Sequence, residues 1–234
     1  LANFVAEFTA ELHFMKPTFA MLFDMDGVIV DSNPYHKAAL ITFCRQHGHD
    51  LTEDELRQKI YGRTNKEWIS NLFDGQVSPG QLRQYADEKE ALYRDLFQYD
   101  IQPVAGLPDF LAHLADQQVV RAIATSAPRA NVDFTLTKTG LTHYFDTILD
   151  DSFVEHGKPN PEIYLKTAAA VGFAPSRCIV LEDSIAGVRA GKAAGCKVVA
   201  IGTTHTREEL PEADFYILDF TNLTIANLLA GLGW

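Results

Sequence analysis

From about Phe19 the chain runs as short apolar segments, each followed by an amphipathic stretch. That alternation constrains the fold more than any other feature, because it describes a parallel sheet whose strands are joined by crossover helices. The predicted strands are residues 19–23, 119–124, 147–149, 178–181, 197–201 and 215–218. A crossover needs only about a dozen residues, yet some 95 separate Phe23 from Val119. That surplus is helical in pattern. Asn33 as a cap with Pro34 after it, and Gly48 past the end, delimit one helix, while Thr52 with Glu55 and Thr64 with Glu67 form capping-box pairs. Ser78-Pro79 opens a long amphipathic segment reaching about Phe97.

The architecture expected is α/β: a Rossmann-like parallel-sheet core of residues 15–32 and 102–234 carrying an inserted all-helical cap, residues 33–101. The hinges fall at 31–33 and 98–104. Gly140, Gly172 and Gly195 read as helix stops, and 222–234 as a final amphipathic helix. Residues 1–14, which precede Met15-Lys16-Pro17, read as an N-terminal extension without a secretory pattern and are assigned no role.

Charge removes whole classes of function. The 234 residues carry a formal net charge of −11 with no run of consecutive Lys or Arg, which argues against a nucleic-acid partner. Hydrophobic residues at 47% and charged residues at 22% describe a globular chain, and no apolar run approaches the roughly 18 residues of a membrane span. Cys44, Cys178 and Cys196 form no CxxC and cannot all pair, so a reducing, cytoplasmic setting is expected, with a monomer as the default.

The chemistry concentrates at strand ends. In LFDMDGVIVDS, residues 22–32, an apolar strand stops on Asp24, Asp26 follows, and Gly27 permits a sharp turn. Ligands of open α/β sheets bind at the carboxyl ends of strands. There one carboxylate can act as nucleophile and its neighbour as acid and base, although a DxD is also an ordinary turn or helix cap. Glu182-Asp183 ends a second strand, with Ser184 as a cap for the helix that follows. Adjacent strands would bring the four carboxylates together. Two unit charges 4 Å apart repel by about 4 kcal/mol at an effective dielectric near 20, so a hard divalent cation such as Mg²⁺ is expected among them. Thr125-Ser126 at another strand end and Lys158 in HGKPNPEIY suit a phosphoryl group, the first through hydroxyls and N–H groups, the second as a point cation.

DMDGVIVDS, the Thr125 strand end, GKPNPE and LEDSIAGVRAG occur in the order and local context of the haloacid dehalogenase superfamily. The chain resembles, over about residues 18–220, the branch with a helical cap after the first motif, which includes β-phosphoglucomutase and small sugar-phosphate phosphatases. The resemblance implies in-line attack by Asp24 on phosphorus to give an aspartyl-phosphate, with Asp26 as general acid and then base. It implies Mg²⁺ held by the Asp24 carboxylate, the Asp26 main-chain carbonyl and Asp183, with Glu182 assisting, and phosphoryl oxygens bound by Thr125, Ser126 and Lys158. Asp26 discriminates within the superfamily: dehalogenases lack this acid, and ion-pumping ATPases carry Thr.

On the cap side the resemblance points to His36, at the first hinge, and to Lys89, where the mutases have a lysine. The mutases usually show Gly-x-Ser-Arg near residues 62–65, whose Arg grips the distal phosphate of a bisphosphate; here Asn65 stands at that position, and Arg63, two residues earlier, is the candidate substitute. Loss of a cationic fork is costly to a mutase, so hydrolysis of a small phosphorylated metabolite is favoured over mutase chemistry. A phosphate-binding relic of the fold without catalysis is the remote alternative. Asp26, beside a second carboxylate in a partly closed site, is expected to have a raised pKa.

Overall fold

The structure, a computed structural model, describes residues 18–60 and 64–234. The expected N-terminal extension and Arg63 lie outside the described residues. Strands β1 (Ala20–Phe23), β2 (Val120–Ala124), β3 (Thr147–Leu149), β4 (Cys178–Glu182), β5 (Lys197–Ile201) and β6 (Phe215–Ile217) form one sheet in the order β3-β2-β1-β4-β5-β6. Every pairing is parallel. The strands match the sequence reading to within one residue at each end.

Strand β1 is buried throughout because helices cover both faces of the sheet. Met21 and Phe23 point into a cluster with α5 (Leu107–Asp116), α6 (Arg129–Thr139) and α9 (Ile225–Leu232). Ala20 and Leu22 face the other side, where α7 (Glu162–Ala170) and α8 (Ile185–Ala193) pack. The chain winds outward from β1 through β2 to β3, then returns to lay β4 against the other side of β1. That reversal is a topological switch point, where a crevice opens at the carboxyl ends of the strands.

Between β1 and β2 come α1 (Asn33–Gln46), α2 (Glu53–Lys59), α3 (Asn65–Leu72) and α4 (Pro79–Phe97), which make the helical cap. Phe43, Leu56, Ile60, Trp68, Ile69 and Leu72 form an apolar centre of its own. The expected capping boxes at Thr52 and Thr64, and one at Ser78, are formed by both side chain and backbone. The start of α1 differs from expectation: Ser32 occupies the cap position and Asn33 is the first helical residue. Asn33 Nδ2 instead donates to Asp183 and Thr204 across the crevice.

The two chain crossings between core and cap lie side by side. Val104 N–H donates to the Ile29 carbonyl at 2.9 Å, and Val30 bridges Pro103 in antiparallel sense. Among the described residues no helix is long and apolar enough to cross a membrane. Just beyond the second crossing, Gly106 adopts φ +76°, and a Cβ there would fall 2.4 Å from the Phe220 backbone, where Phe220 N–H donates to the Ala105 carbonyl. Gly106→Ala is expected to destabilise the protein by about 2–4 kcal/mol, combining left-handed strain with overpacking; urea unfolding monitored by far-UV circular dichroism measures it.

Candidate active site

Asp24 stands one residue past β1, its N–H continuing the ladder to the Leu181 carbonyl at 3.0 Å. The chain then turns at Gly27, whose φ is +74° and whose N–H donates to the Val30 carbonyl at 2.8 Å. A Cβ on Gly27 would lie 1.9 Å from Asp183 Oδ2, so only glycine lets the turn pass under the second acidic pair. Strand β4 ends on Glu182, and the Ser184 hydroxyl accepts the Gly187 N–H to start α8. A Cβ on Gly187 would fall 1.7 Å from Glu182 Oε1, so this helical glycine makes room for the carboxylate beneath it.

Asp24, Glu182 and Asp183 bring carboxylate oxygens within 4.8 Å of one another, all three side chains being buried. Lys158 enters this cluster, its Nζ 3.0 Å from Asp24 Oδ1 and 2.6 Å from Glu182 Oε1, with 7% of its side chain exposed. The Tyr164 hydroxyl donates to Glu182 Oε1 at 2.7 Å, and its ring lies 5.1 Å from the ammonium. Glu182 Oε2 accepts from the backbone N–H groups of Asp183 and Ser184 and from the Ser184 hydroxyl. Glu182 is therefore tied into the protein at both oxygens.

The protonation tendencies follow from these contacts. Burial pushes Asp24 well above the ordinary carboxylate range, with Lys158 opposing and Glu182 and Asp183 adding to the rise. Burial, then Glu182, takes Asp183 up to about 7. Burial acts on Glu182 too, but Lys158 and the hydrogen bonds outweigh it and hold that group below its usual value. Lys158 is raised, since Asp24 and Glu182 outweigh its desolvation.

The sequence reading placed four carboxylate side chains together; three of them, Asp24, Glu182 and Asp183, form the close group. The Asp26 side chain turns to the cap, accepting the Ser32 hydroxyl at 2.6 Å with His36 Nε2 at 3.3 Å from the same oxygen. Its expected raised pKa is also corrected. Burial pushes it up, but His36, the Ser32 bond and Lys89 outweigh burial and bring it below the ordinary range. Lys89 Nζ lies 3.2 Å from His36 Nδ1. An ammonium only donates, so Nδ1 accepts and Nε2 carries the proton toward Asp26. Tyr93 stacks on the imidazole at 3.8 Å between centroids and fixes its plane.

Thr125 is buried beyond β2, its N–H bonded to the Leu149 carbonyl and its hydroxyl accepting the Ala127 N–H, while Ser126 is exposed just before α6. Asn65 donates to Glu90 Oε1 at 3.3 Å and accepts the Trp68 indole N–H at 2.8 Å.

Several participants escaped the sequence reading. Thr203 and Thr204 follow β5; the first donates to the Gly27 carbonyl and the second to Asp183 Oδ2. Asn33 Nδ2 reaches Asp183 Oδ2 at 3.1 Å and Thr204 Oγ1 at 2.6 Å. The strand-end rule that singled out Thr125 applies equally to this threonine pair. Tyr164, Glu90 and Asn131 have no such local signal.

An α/β sheet with paired acids at two adjacent strand ends, a buried lysine between them and a helical insert folded over the crevice defines a class of hydrolases. The chain matches the haloacid dehalogenase-like hydrolase family over residues 21–201 and belongs to it; it is an enzyme of that family. It is 30% identical over 191 residues to a phosphorylated carbohydrates phosphatase of Thermotoga maritima, covering 80% of this chain and 86% of the relative. It is 30% identical over 210 residues to a validoxylamine A 7'-phosphate phosphatase of Streptomyces hygroscopicus subsp. limoneus, covering 86% and 94%. The crystal structure of a family IA, variant 3 hydrolase from Entamoeba histolytica superposes with a TM-score of 0.85 at 32% identity, covering 92% of this chain and all of that one.

Asn33 and Thr204 both donate to Asp183 Oδ2 and so hold this carboxylate in place. Asn33→Ala is expected to weaken divalent-cation affinity by roughly 10–100-fold, the usual effect of losing an outer support of a ligand, as measured by isothermal titration with Mg²⁺.

Proposed function

We propose that the protein is a Mg²⁺-dependent phosphatase that hydrolyses a small phosphorylated metabolite, a sugar phosphate, through an aspartyl-phosphate on Asp24. The observation that carries this reading is the division of labour between two carboxylates two residues apart. Asp24 sits against Lys158 in the acidic crevice, while Asp26 faces His36 and Ser32 on the cap side. Carboxylates in such different surroundings suit different roles, nucleophile and acid–base.

In this reading Asp24 attacks phosphorus in line with the bond to the leaving oxygen. Asp26, held ionised by His36 and Ser32 in the substrate-free protein, takes up a proton from solvent as the substrate binds and passes it to the departing alkoxide as that bond breaks. Asp26, now ionised, takes a proton from water, which attacks the aspartyl-phosphate and releases inorganic phosphate and free Asp24. Lys158, Thr125 and Ser126 bind the phosphoryl oxygens. The cluster suits Mg²⁺: its donors are hard oxygens, and Lys158 balances only one of its three carboxylates. Asp24, Asp183 and the Asp26 main-chain carbonyl are the ligands we assign, with Glu182 assisting by holding Lys158. The cation, when bound, favours ionised carboxylates and offsets charge developing on the phosphoryl group.

Residues 33–101 act as the substrate-recognising cap, with His36, Lys89 and Asn65 on its inner side. Asn65 hydrogen-bonds Glu90 and Trp68 and offers no charge to a second phosphate, which supports hydrolysis over mutase chemistry. The relatives named for phosphorylated carbohydrates and for a 7'-phosphate support the substrate class. Buried, unpaired Cys44, Cys178 and Cys196 fit a reducing, cytoplasmic setting.

Phosphate release from a panel of sugar and polyol phosphates should require Mg²⁺, cease with EDTA and be absent in Asp24→Asn. Asp26→Ala should lower kcat by about 10²–10⁴-fold while keeping cation affinity. Conversion of β-glucose 1-phosphate to glucose 6-phosphate under bisphosphate priming, with little free phosphate, would overturn the assignment. In His36→Gln the groups that lower Asp26 are fewer, so the limb of the pH–kcat/KM profile governed by Asp26 should move to higher pH.

A further inference from the structure

The cap is joined to the core by two adjacent chain crossings; it has an apolar centre of its own, and through Ala39, Tyr93 and Phe97 it also packs into the core cluster. Its seam with the core holds a polar cluster in which Lys89 and Glu90 of α4 and Asn131 of α6 are buried. Asn131 is fully buried, and its amide is gripped at both ends by α4. Its Nδ2 donates to Glu90 Oε2 at 2.7 Å, and its Oδ1 accepts Arg94 Nη1 at 2.7 Å. Glu90 and Arg94 are four residues apart, one turn of the same helix, so one core side chain meets two neighbouring cap side chains.

A carboxylate only accepts and a guanidinium only donates, so their common partner must present a donor to one and an acceptor to the other. A short neutral amide does both. Glu90 then hands the contact onward: its Oε1 accepts Lys89 Nζ at 2.6 Å, Lys89 donates to His36, and His36 faces Asp26. Asn131 also lies in the first turn of α6, directly after the Thr125-Ser126 loop.

We propose that Asn131 is the latch by which the core holds the cap closed, a positioning residue that acts through Glu90, Lys89 and His36 on Asp26. When the cap lifts, the charged groups of the seam regain water and the amide is released; when it docks, the same contact aligns the cap-side groups over Asp26 and steadies the helix behind the phosphate-binding loop. Only the activity part of this proposal rests on the phosphatase reading; cap position can be read without any substrate.

The test combines small-angle scattering and amide hydrogen exchange of the substrate-free protein with steady-state kinetics. Asn131→Asp sets a carboxylate against Glu90 and should enlarge the radius of gyration, raise exchange at the start of α6 and along 89–97, and lower kcat/KM by about tenfold or more. Adding Glu90→Gln to Asn131→Asp exchanges donor for acceptor and should restore the closed scattering profile. A packing defect would not be repaired in that way. Arg94→Met, at a half-buried site on the cap surface, removes the other half of the grip and decides the question should Asn131→Asp fail to fold; it should shift scattering in the same direction. Unchanged scattering and exchange in the folded variants would overturn the latch, even with phosphate release lost. An opened cap in Asn131→Asp would support it, even were no phosphate ester hydrolysed.

Discussion

Lys158 lies between Asp24 and Glu182 in a crevice that also holds Asp183, and the surrounding chain is arranged to make that contact tolerable. Like charges a few ångströms apart repel by several kcal/mol even at a generous dielectric, roughly 4 kcal/mol for one pair, and burying an ammonium carries its own desolvation cost. Each group therefore has further partners: Tyr164 and the start of α8 for Glu182, Thr204 and Asn33 for Asp183, the Tyr164 ring for Lys158. Gly27 and Gly187 keep clear the space that the carboxylates fill. Three carboxylates against one ammonium leave a group of hard oxygen donors that could hold a cation.

The core was legible because its signals are local. Apolar runs flanked by turns locate all six strands, and Thr52, Thr64 and Ser78 mark helix starts through groups three residues away. Asp24, Glu182 and Asp183 could be placed together because each ends a strand, and strands that pair in parallel bring like ends together. Lys158 reads as a phosphate ligand, but its pairing with Glu182 is a contact across 24 residues that no spacing shows.

What the sequence did not disclose is the environment of Asp26. Burial and neighbouring carboxylates argue for a raised proton affinity, and both are present; the outcome is reversed by His36 and Lys89, whose approach requires α1 and α4 to pack together over the crevice. Asn33 misled for a related reason. Before a proline, asparagine reads as a cap, but Ser32 takes that position and Asn33 Nδ2 donates to a carboxylate 150 residues away in sequence. The pairing of Glu90 with Asn131 spans 41 residues and two parts of the molecule. Long-range polar contacts of this kind set the chemistry of the site while leaving no periodic trace.

The side-by-side course of the chain at Ile29–Val30 and Pro103–Val104 has an evolutionary consequence. The ends between which the insert is spliced are already neighbours, and the entropy of closing a loop grows only slowly with its length. An ancestral lineage could thus lengthen, shorten or replace everything between those two points while the sheet, the acidic crevice and Lys158 stayed in register. The crevice carboxylates and Lys158 lie on the core's part of the chain and the insert on another, so the length of the insert can change while the sheet keeps its register.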